Sequence, residues 1–191
     1  MQDQDAISRM KQGDPHGLEV LVGRYQEKAI YAAYAVLHDR SLAEEVVQEA
    51  FLRAYEKSRQ FKDGRPFAPW FFRIVVNQAV KIARQQQRWA SLEEEPDEET
   101  RRLAGWMVTG IADSRQQPEE LLMLAQREDV VWNALRQLSP EQRAAVVMRY
   151  YLEMSAAEMA EELGKPVSTV KWWLRAARKR LGALLKPIYK P

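Results

Sequence analysis

The chain has 191 residues, of which 29 are Lys or Arg and 27 Asp or Glu, giving a formal charge of +2, and it contains no cysteine. Disulfides and thiolate metal sites are therefore excluded, which fits a reducing cytoplasm. The acidic start MQDQDAISRM is unlike a cationic signal peptide, and no apolar run approaches membrane-spanning length, so the expectation is a cytoplasmic protein without membrane contact of its own.

The small net charge conceals a strong asymmetry. Arg53 to Arg88 holds nine basic and two acidic residues, Ser91 to Glu120 nine acidic and three basic, and Pro166 to Pro191 seven basic and none acidic. Two positive blocks separated by a negative one suit two contacts with a polyanion, joined by a segment that avoids it. His16 and His38, the only histidines, sit in no metal-ligand spacing. No metal, cofactor or catalytic residue is expected.

Helix signals dominate along the chain. Residues 3 to 12 predict a short helix closed by Gly13, and Asp14-Pro15 a cap and first-turn proline for the next. That second helix carries Leu18, Leu21, Val22, Tyr25, Ala29, Ala32, Val36 and Leu37 at spacings of three and four, and should end near His38-Asp39. Ser41-Leu42-Ala43-Glu44 reads as a capping box opening a third helix. It would bury Leu42, Val46, Val47, Ala50, Phe51 and Ala54, with Glu44, Glu45, Gln48, Glu49, Arg53 and Glu56 outward. Acids in its first half and bases in its second match the helix dipole; the same acids also suit docking of a basic partner.

Phe61 to Trp89 is a loop with Gly64, Pro66 and Pro69 followed by a helix. On a wheel of about 100° per residue, Arg73, Asn77, Lys81, Arg84 and Arg88 fall within roughly a quarter of the circumference. Phe71, Ile74, Val75, Gln78 and Ile82 lie opposite. Trp70 projects near the cationic side, beside Phe61, Lys62, Arg65 and Phe67. Cations along a backbone with aromatic rings beside them suit single-stranded nucleic acid; a solvated face of an amphipathic helix has the same pattern.

Residues 91–118 read as an acidic linker, interrupted by Pro96 and carrying Trp106, Met107, Val108 and Ile111. Beyond Pro118, a helix with Leu121, Leu122, Leu124, Val131, Trp132, Leu135 and Leu138 is expected. Ser139-Pro140-Glu141-Gln142 opens another, which should bury Ala145, Val146, Met148 and Tyr150 or Tyr151. Ser155 to Glu158 is a further capping box, and Gly164 ends the short helix it opens. After Lys165-Pro166 a long basic helix runs to about Leu185. Short helix, Gly-containing turn and basic helix form the helix-turn-helix pattern. Val170, Leu174, Ala177 and Leu181 face inward and Ser168, Lys171, Arg175 and Arg178 outward. Trp172 lies at the edge of the outward side, where packing on a neighbouring helix is slightly favoured over contact with a thymine methyl.

Four blocks in this order resemble the extracytoplasmic-function (ECF) group of bacterial RNA polymerase sigma factors, in the sigma-70 family. They are GDPHGLEVLVGRYQEKAIYAAYAVLHD, AEEVVQEAFLRAY, the stretch from Phe61 to Asn77, and LSPEQRAAVVMRYYLEMSAAEMAEELGKPVSTVKWWLRAARKRL. The resemblance implies an all-α protein with a region 2 domain (1–90), an acidic linker (91–118) and a region 4 helix-turn-helix domain (119–191). It implies a non-enzymatic, dissociable subunit of RNA polymerase that recognises the −35 and −10 promoter elements and nucleates melting. Glu45, Gln48, Glu49 and Phe51 would dock on the coiled coil of the largest polymerase subunit, with the flap of the second-largest as a further contact.

The resemblance also assigns the DNA surfaces. Asn77 and the loop with Phe61, Lys62, Arg65, Phe67 and Trp70 would receive a flipped base of the non-template strand, with Arg73, Lys81, Arg84 and Arg88 along its backbone. Ser168, Thr169, Lys171, Trp172, Arg175 and Arg178 would meet the −35 duplex, and an anti-sigma factor is an implied partner. The linker would thread the channel that later carries RNA. Glu45 stands where the family prefers Asp, and Trp172-Trp173 replaces a small residue followed by Arg. Two other classes compete: an autonomous helix-turn-helix regulator, and a metal-dependent nuclease or transferase built on Glu44, Glu45 and Glu49.

Overall fold

The structure, a computed structural model, describes residues 2–90 and 130–185, with side chains on the N-terminal part described through Gln87. The expected acidic linker, and the helix expected from Pro118 as far as residue 129, lie outside the described residues, as do the last six positions. What is described is helical, with no strand: α1 (Asp3–Lys11), α2 (His16–Leu37), α3 (Arg40–Glu56), a 3-10 turn (Ser58–Gln60), α4 (Phe67–Ala90), α5 (130–136), α6 (Pro140–Val146) with a π-helical turn (Val147–Tyr151), α7 (Ala156–Leu163) and α8 (Val167–Leu185).

The first four helices form a bundle around α2. Gly13 closes α1 with φ +85°, and the Asp14 carboxylate accepts from the His16 backbone N–H at 2.9 Å to start α2. Helix α1 then crosses α2 at Gly17, where a Cβ would stand 2.2 Å from the Ala6 carbonyl oxygen, so only glycine permits the approach. Farther along α2, Ala29, Ala32, Ala33 and Val36 are fully buried. Their small side chains make room for Val46, Val47 and Ala50 of α3 and for Phe71, Phe72, Val75, Val76 and Ala79 of α4. Phe51 stacks on Phe71 at 4.4 Å between centroids and 28° between planes, and Phe71 stacks on Phe67 at 5.4 Å and 11°.

One expected start is corrected. Helix α3 is capped by Asp39, not by a Ser41 box: Asp39 has extended backbone, and its carboxylate accepts from the Leu42 N–H at 2.9 Å. Ser41 already lies inside the helix, and Glu44 pairs with Arg40 at 2.8 Å instead of reaching back to a cap. The turn between α2 and α3 is tight because His38 ends α2 in the left-handed region, φ 57°.

The C-terminal helices form a second unit. Both expected capping boxes are present, Ser139 with Gln142 (3.3 and 3.2 Å) and Ser155 with Glu158 (3.2 and 2.7 Å), and Gly164 ends α7 with φ +59°. Helix α6 widens into the π turn, which sends Tyr151 inward and leaves Tyr150 59% exposed. The two units pack together through an aromatic cluster. Trp132 lies 5.6 Å from Tyr31 and 5.0 Å from Tyr34 between centroids, and Tyr151 lies 4.5 Å from Tyr31.

Candidate nucleic-acid interface

The loop before α4 is held from below by rings and from outside by ion pairs. Phe61 and Phe67 are buried, at 5% and 1% exposure, and Trp70 meets them at 5.1 and 5.7 Å between centroids. The two phenylalanines thus belong to the core in this structure, while Trp70, half-buried, reaches the surface. Gly64 (φ +81°) turns the loop, Lys11 pairs with Asp63 at 2.6 Å, and Gln4 donates to the Arg65 carbonyl at 2.9 Å. Tyr25 donates to Asp3 at 2.5 Å, and burial followed by that carboxylate pushes its hydroxyl up to about 12.

From this loop the cationic face continues along α4. Lys62 and Arg65 are exposed, Arg73 is half-buried, and Asn77, Lys81 and Arg84 are exposed one turn after another. Arg88 lies beyond the described side chains. The opposite face carries Phe71, Phe72, Val75, Val76, Ala79 and Ala83, all buried. Ile74, Gln78 and Ile82, expected in the core, are half-buried at its flank.

Two cavities border the cationic face where the second unit approaches it. One, of about 380 Å³, is lined by Lys62, Arg65, Trp70 and Arg73 on one side and Glu158, Glu161 and Glu162 on the other. The second, of about 330 Å³, lies between Asn77, Lys81, Arg84 and Glu141, Lys165, Trp173. Three ion pairs close the seam: Arg65 to Glu161 at 3.5 Å, Arg73 to Glu162 at 3.3 Å and Arg84 to Glu141 at 2.5 Å. Burial would raise the Glu141 carboxyl, but its own backbone N–H, the Arg84 guanidinium and the Ser139 hydroxyl together carry it below the ordinary value. The Glu162 carboxyl stays raised, because burial outweighs the attraction of Arg73. In the sequence Glu141 is part of a helix start and Glu161 and Glu162 have no role; nothing in their neighbours along the chain signals a partner so far away.

On α3 the outward strip consists of Glu45 and Gln48, both exposed, with Glu49 half-buried. Glu49 accepts from Gln78 and from Arg53, and Glu44 is held by Arg40. Phe51 is 5% exposed and faces Phe71, whereas Leu52, at 60%, stands in the open on the side of Gln48 and Glu45. Leu52 was missed in the sequence, although its i+4 relation to Gln48 and i+7 relation to Glu45 place it on their strip. No group of His, Cys, Asp and Glu among the described residues is arranged to hold a metal ion.

Helices α7 and α8 form the helix-turn-helix. Val170, Leu174 and Ala177 anchor α8, while Ser168, Lys171, Trp172, Arg175 and Arg178 are exposed and Thr169 is half-buried. Trp172, expected to pack on a neighbouring helix, is instead 61% exposed, and Trp173 takes the inward place. A residue at Trp172 points away from the anchored stripe, so no neighbouring helix reaches it among the described residues. A helix with one buried stripe and an open cationic face is what enters a major groove.

The fold and these faces define an all-α protein built from a helical bundle and a helix-turn-helix unit. Residues 21–89 match the family model for sigma-70 region 2, and residues 128–181 that for sigma-70 region 4. The chain belongs to the sigma-70 family of RNA polymerase sigma factors, in its ECF group. It is 28% identical to the ECF sigma factor SigW of Bacillus subtilis, covering 95% of this chain and 96% of that one, and 28% identical to the sigma-E factor of Escherichia coli (98% and 96%). To the sigma-H factor of Pseudomonas aeruginosa it is 27% identical (99% and 96%). Its fold is similar to that of CnrH in complex with the cytosolic domain of CnrY, at TM-score 0.66, 22% identity and coverage of 97% and 98%. It is also similar to RpoE in complex with the anti-sigma factor NepR from Bartonella quintana, at TM-score 0.62, 20% identity and coverage of 90% and 98%. No helix among the described residues is long and apolar enough to cross a membrane.

Proposed function

We propose that this sigma factor directs core RNA polymerase to promoters with −35 and −10 elements and nucleates melting by holding the non-template strand. The observation that carries the reading is the α4 face: Trp70, Arg73, Asn77, Lys81 and Arg84 follow one another on a rigid helix whose other side is core. Such a surface supplies cations for a strand's phosphates and a polar side chain and ring for an unstacked base. Capture of an extruded base offsets a few kcal/mol of unstacking, so binding selects the open strand without ATP. Phe61 and Phe67 shape the loop from inside, and Lys62, Arg65 and, beyond the described side chains, Arg88 extend the charged path.

The −35 duplex is met by α8, with Ser168, Thr169, Lys171 and Trp172 toward base edges and Arg175 and Arg178 toward phosphates. Polymerase docking falls to Glu45, Gln48 and Leu52 on α3, with Glu49 and Phe51 of the same helix bracing that strip against Gln78 and Phe71 of α4; the partner is the coiled coil of the largest subunit. The second-largest subunit's flap receives the C-terminal domain, 119–191, while the linker 91–118 lies in the RNA channel between it and the domain 1–90. Two solved relatives of this fold are described in complexes with CnrY and with an anti-sigma factor, which supports an anti-sigma partner for this chain too. The test is run-off transcription with core polymerase on a promoter library. Defined transcripts that need this chain are expected. Failure to co-elute with core polymerase, together with tight binding to duplex DNA alone, sinks the proposal in favour of an autonomous regulator.

A further inference from the structure

Helix α1 lies ahead of residue 21, where the match to the region 2 family model begins, so that match assigns it no part in the DNA surface. Its sequence places two polar side chains, Gln4 and Lys11, seven positions apart and hence on one face, about 10 Å from each other along the axis. Both reach the loop between Phe61 and Phe67. The Gln4 amide donates to the Arg65 carbonyl at 2.9 Å, and the Lys11 ammonium pairs with the Asp63 carboxylate at 2.6 Å. The loop therefore runs antiparallel to α1 and is gripped at Asp63 and Arg65, on either side of Gly64, whose φ of +81° makes the turn. The helix is a firm place to grip from. Ala6, Ile7 and Met10 are buried, and the close crossing at Gly17 fixes α1 on α2. At its start Asp3 accepts from Tyr25, whose ring lies 5.6 Å from Phe67, the residue at which the loop becomes α4. At its end the Gly13 carbonyl accepts from Tyr55 at 3.1 Å, just ahead of the 3-10 turn that leads into the loop.

We infer that Gln4 and Lys11 are positioning residues for strand capture: through Arg65 and Asp63 they hold the loop in its base-receiving shape before DNA arrives. The inference rests on the proposed function for the identity of the ligand. Neither contact is needed by the bundle, because an exposed pair such as Lys11 with Asp63, whose side chain is 80% exposed, adds little to global stability. Their effect falls on the loop. An exposed segment that contains glycine has many conformations to lose when it closes on a strand, and holding it in advance removes part of that cost. A direct role for Lys11 on a phosphate is the competing account, and the two differ in sign at Asp63. Removing that carboxylate makes the loop more cationic and frees Lys11, so direct attraction would tighten strand binding. Loss of the grip would weaken it.

The experiment pairs promoter opening with loop motion in the full-length protein. With core polymerase on a promoter taken from the run-off library, permanganate reactivity should fall about threefold in each of Gln4→Ala, Lys11→Met and Asp63→Ala, and about tenfold in Q4A/K11M, the scale of one exposed pair or hydrogen bond and of two. Lys11→Arg keeps both the charge and the reach to Asp63 and should stay within about twofold of the unaltered protein. Affinity for a duplex carrying only the −35 element should change by less than about twofold in every variant, since α8 is untouched. NMR order parameters of the Lys62, Asp63, Gly64 and Arg65 amides should drop from about 0.85 to below about 0.6 in Q4A/K11M, with those of α4 unchanged. Tighter strand capture in Asp63→Ala overturns the inference and makes Lys11 a phosphate contact. Unchanged opening in a Q4A/K11M protein that still supports run-off transcription overturns it too and leaves the proposed function intact. So does a loop that stays rigid in Q4A/K11M, or a loss of order that spreads through the whole bundle, which would mark α1 as structural only. Failure of the unaltered protein in run-off transcription removes the proposed function instead, and the order parameters then decide by themselves whether α1 holds the loop.

Discussion

The His38 imidazole stands edge-on to the Trp132 indole, with 6.2 Å between centroids and 87° between planes, and neither ring nitrogen has a hydrogen-bond partner. Tyr34 on its own helix, Trp132 and Arg136 on α5 and Arg143 on α6 surround it. Burial, followed by the charges of Arg143 and Arg136, pulls the imidazole down from 6.5 to about 3. Docked units therefore hold the neutral ring, while separated units return it to its ordinary value. The separated state binds the extra proton, so docking is full above about pH 6.5 and weakens by up to about 1.4 kcal/mol for each unit below it, until about pH 3. Glu162, raised when docked, opposes this just above its ordinary carboxylate range. Denaturant unfolding at pH 7 and pH 5 should show the loss, and His38→Asn, which tolerates the left-handed backbone at φ 57°, should shrink it. An identical pH dependence in that variant argues against His38.

Asp39, which accepts from Leu42, is the cap of α3. Asp39→Ala should cost about 1 kcal/mol in urea unfolding, the usual value of a lost cap. Ser41→Ala, inside the helix, should stay within about 0.5 kcal/mol. Reversed magnitudes would restore the Ser41 box.

Phe51 and Leu52 are chain neighbours with opposite fates. Phe51→Ala removes a ring stacked on Phe71 and should destabilise the bundle by about 3–5 kcal/mol. Leu52→Asp, at a position 60% exposed, should leave the melting temperature unchanged but weaken binding to core polymerase. Charge reversal at Glu45 with Gln48→Lys should act in the same way. Circular dichroism melts and a polymerase pull-down separate the two roles.

Asn77 lines the 330 Å³ cavity, which Trp173 of α8 also borders. Asn77→Ala should reduce open-complex formation, read by permanganate reactivity, more than it reduces duplex binding. Equal losses would count against a base pocket at Asn77.

Lys171 and Arg175 are exposed on α8. Each replaced by Ala should lower the slope of log affinity against log salt for duplex DNA by about one. A slope that stays constant would place phosphate contacts elsewhere.

Much of the architecture was local and therefore readable in the chain. The stripe of α2, the boxes at Ser139 and Ser155, the stop at Gly164 and the inward set Val170, Leu174 and Ala177 depend on contacts within one helix or on its period. So does the cationic face of α4. Where two local signals competed, tertiary geometry chose: the left-handed His38 shortened the turn, which put Asp39 rather than Ser41 at the cap. Phe51, Phe61 and Phe67 read as surface contacts through the family resemblance; the period of α3 already turned Phe51 inward, but only packing shows that the rings of Phe61 and Phe67 do the same. The seam was invisible in the chain for a stronger reason. Arg73 and Glu162 are 89 positions apart, and no helical period or cap motif relates charges at that separation. By itself the sequence determined which helices form and which of their faces are cationic; the tertiary structure decided which of those faces meets the acids of α6 and α7, because only folding brings such distant charges within ion-pair reach.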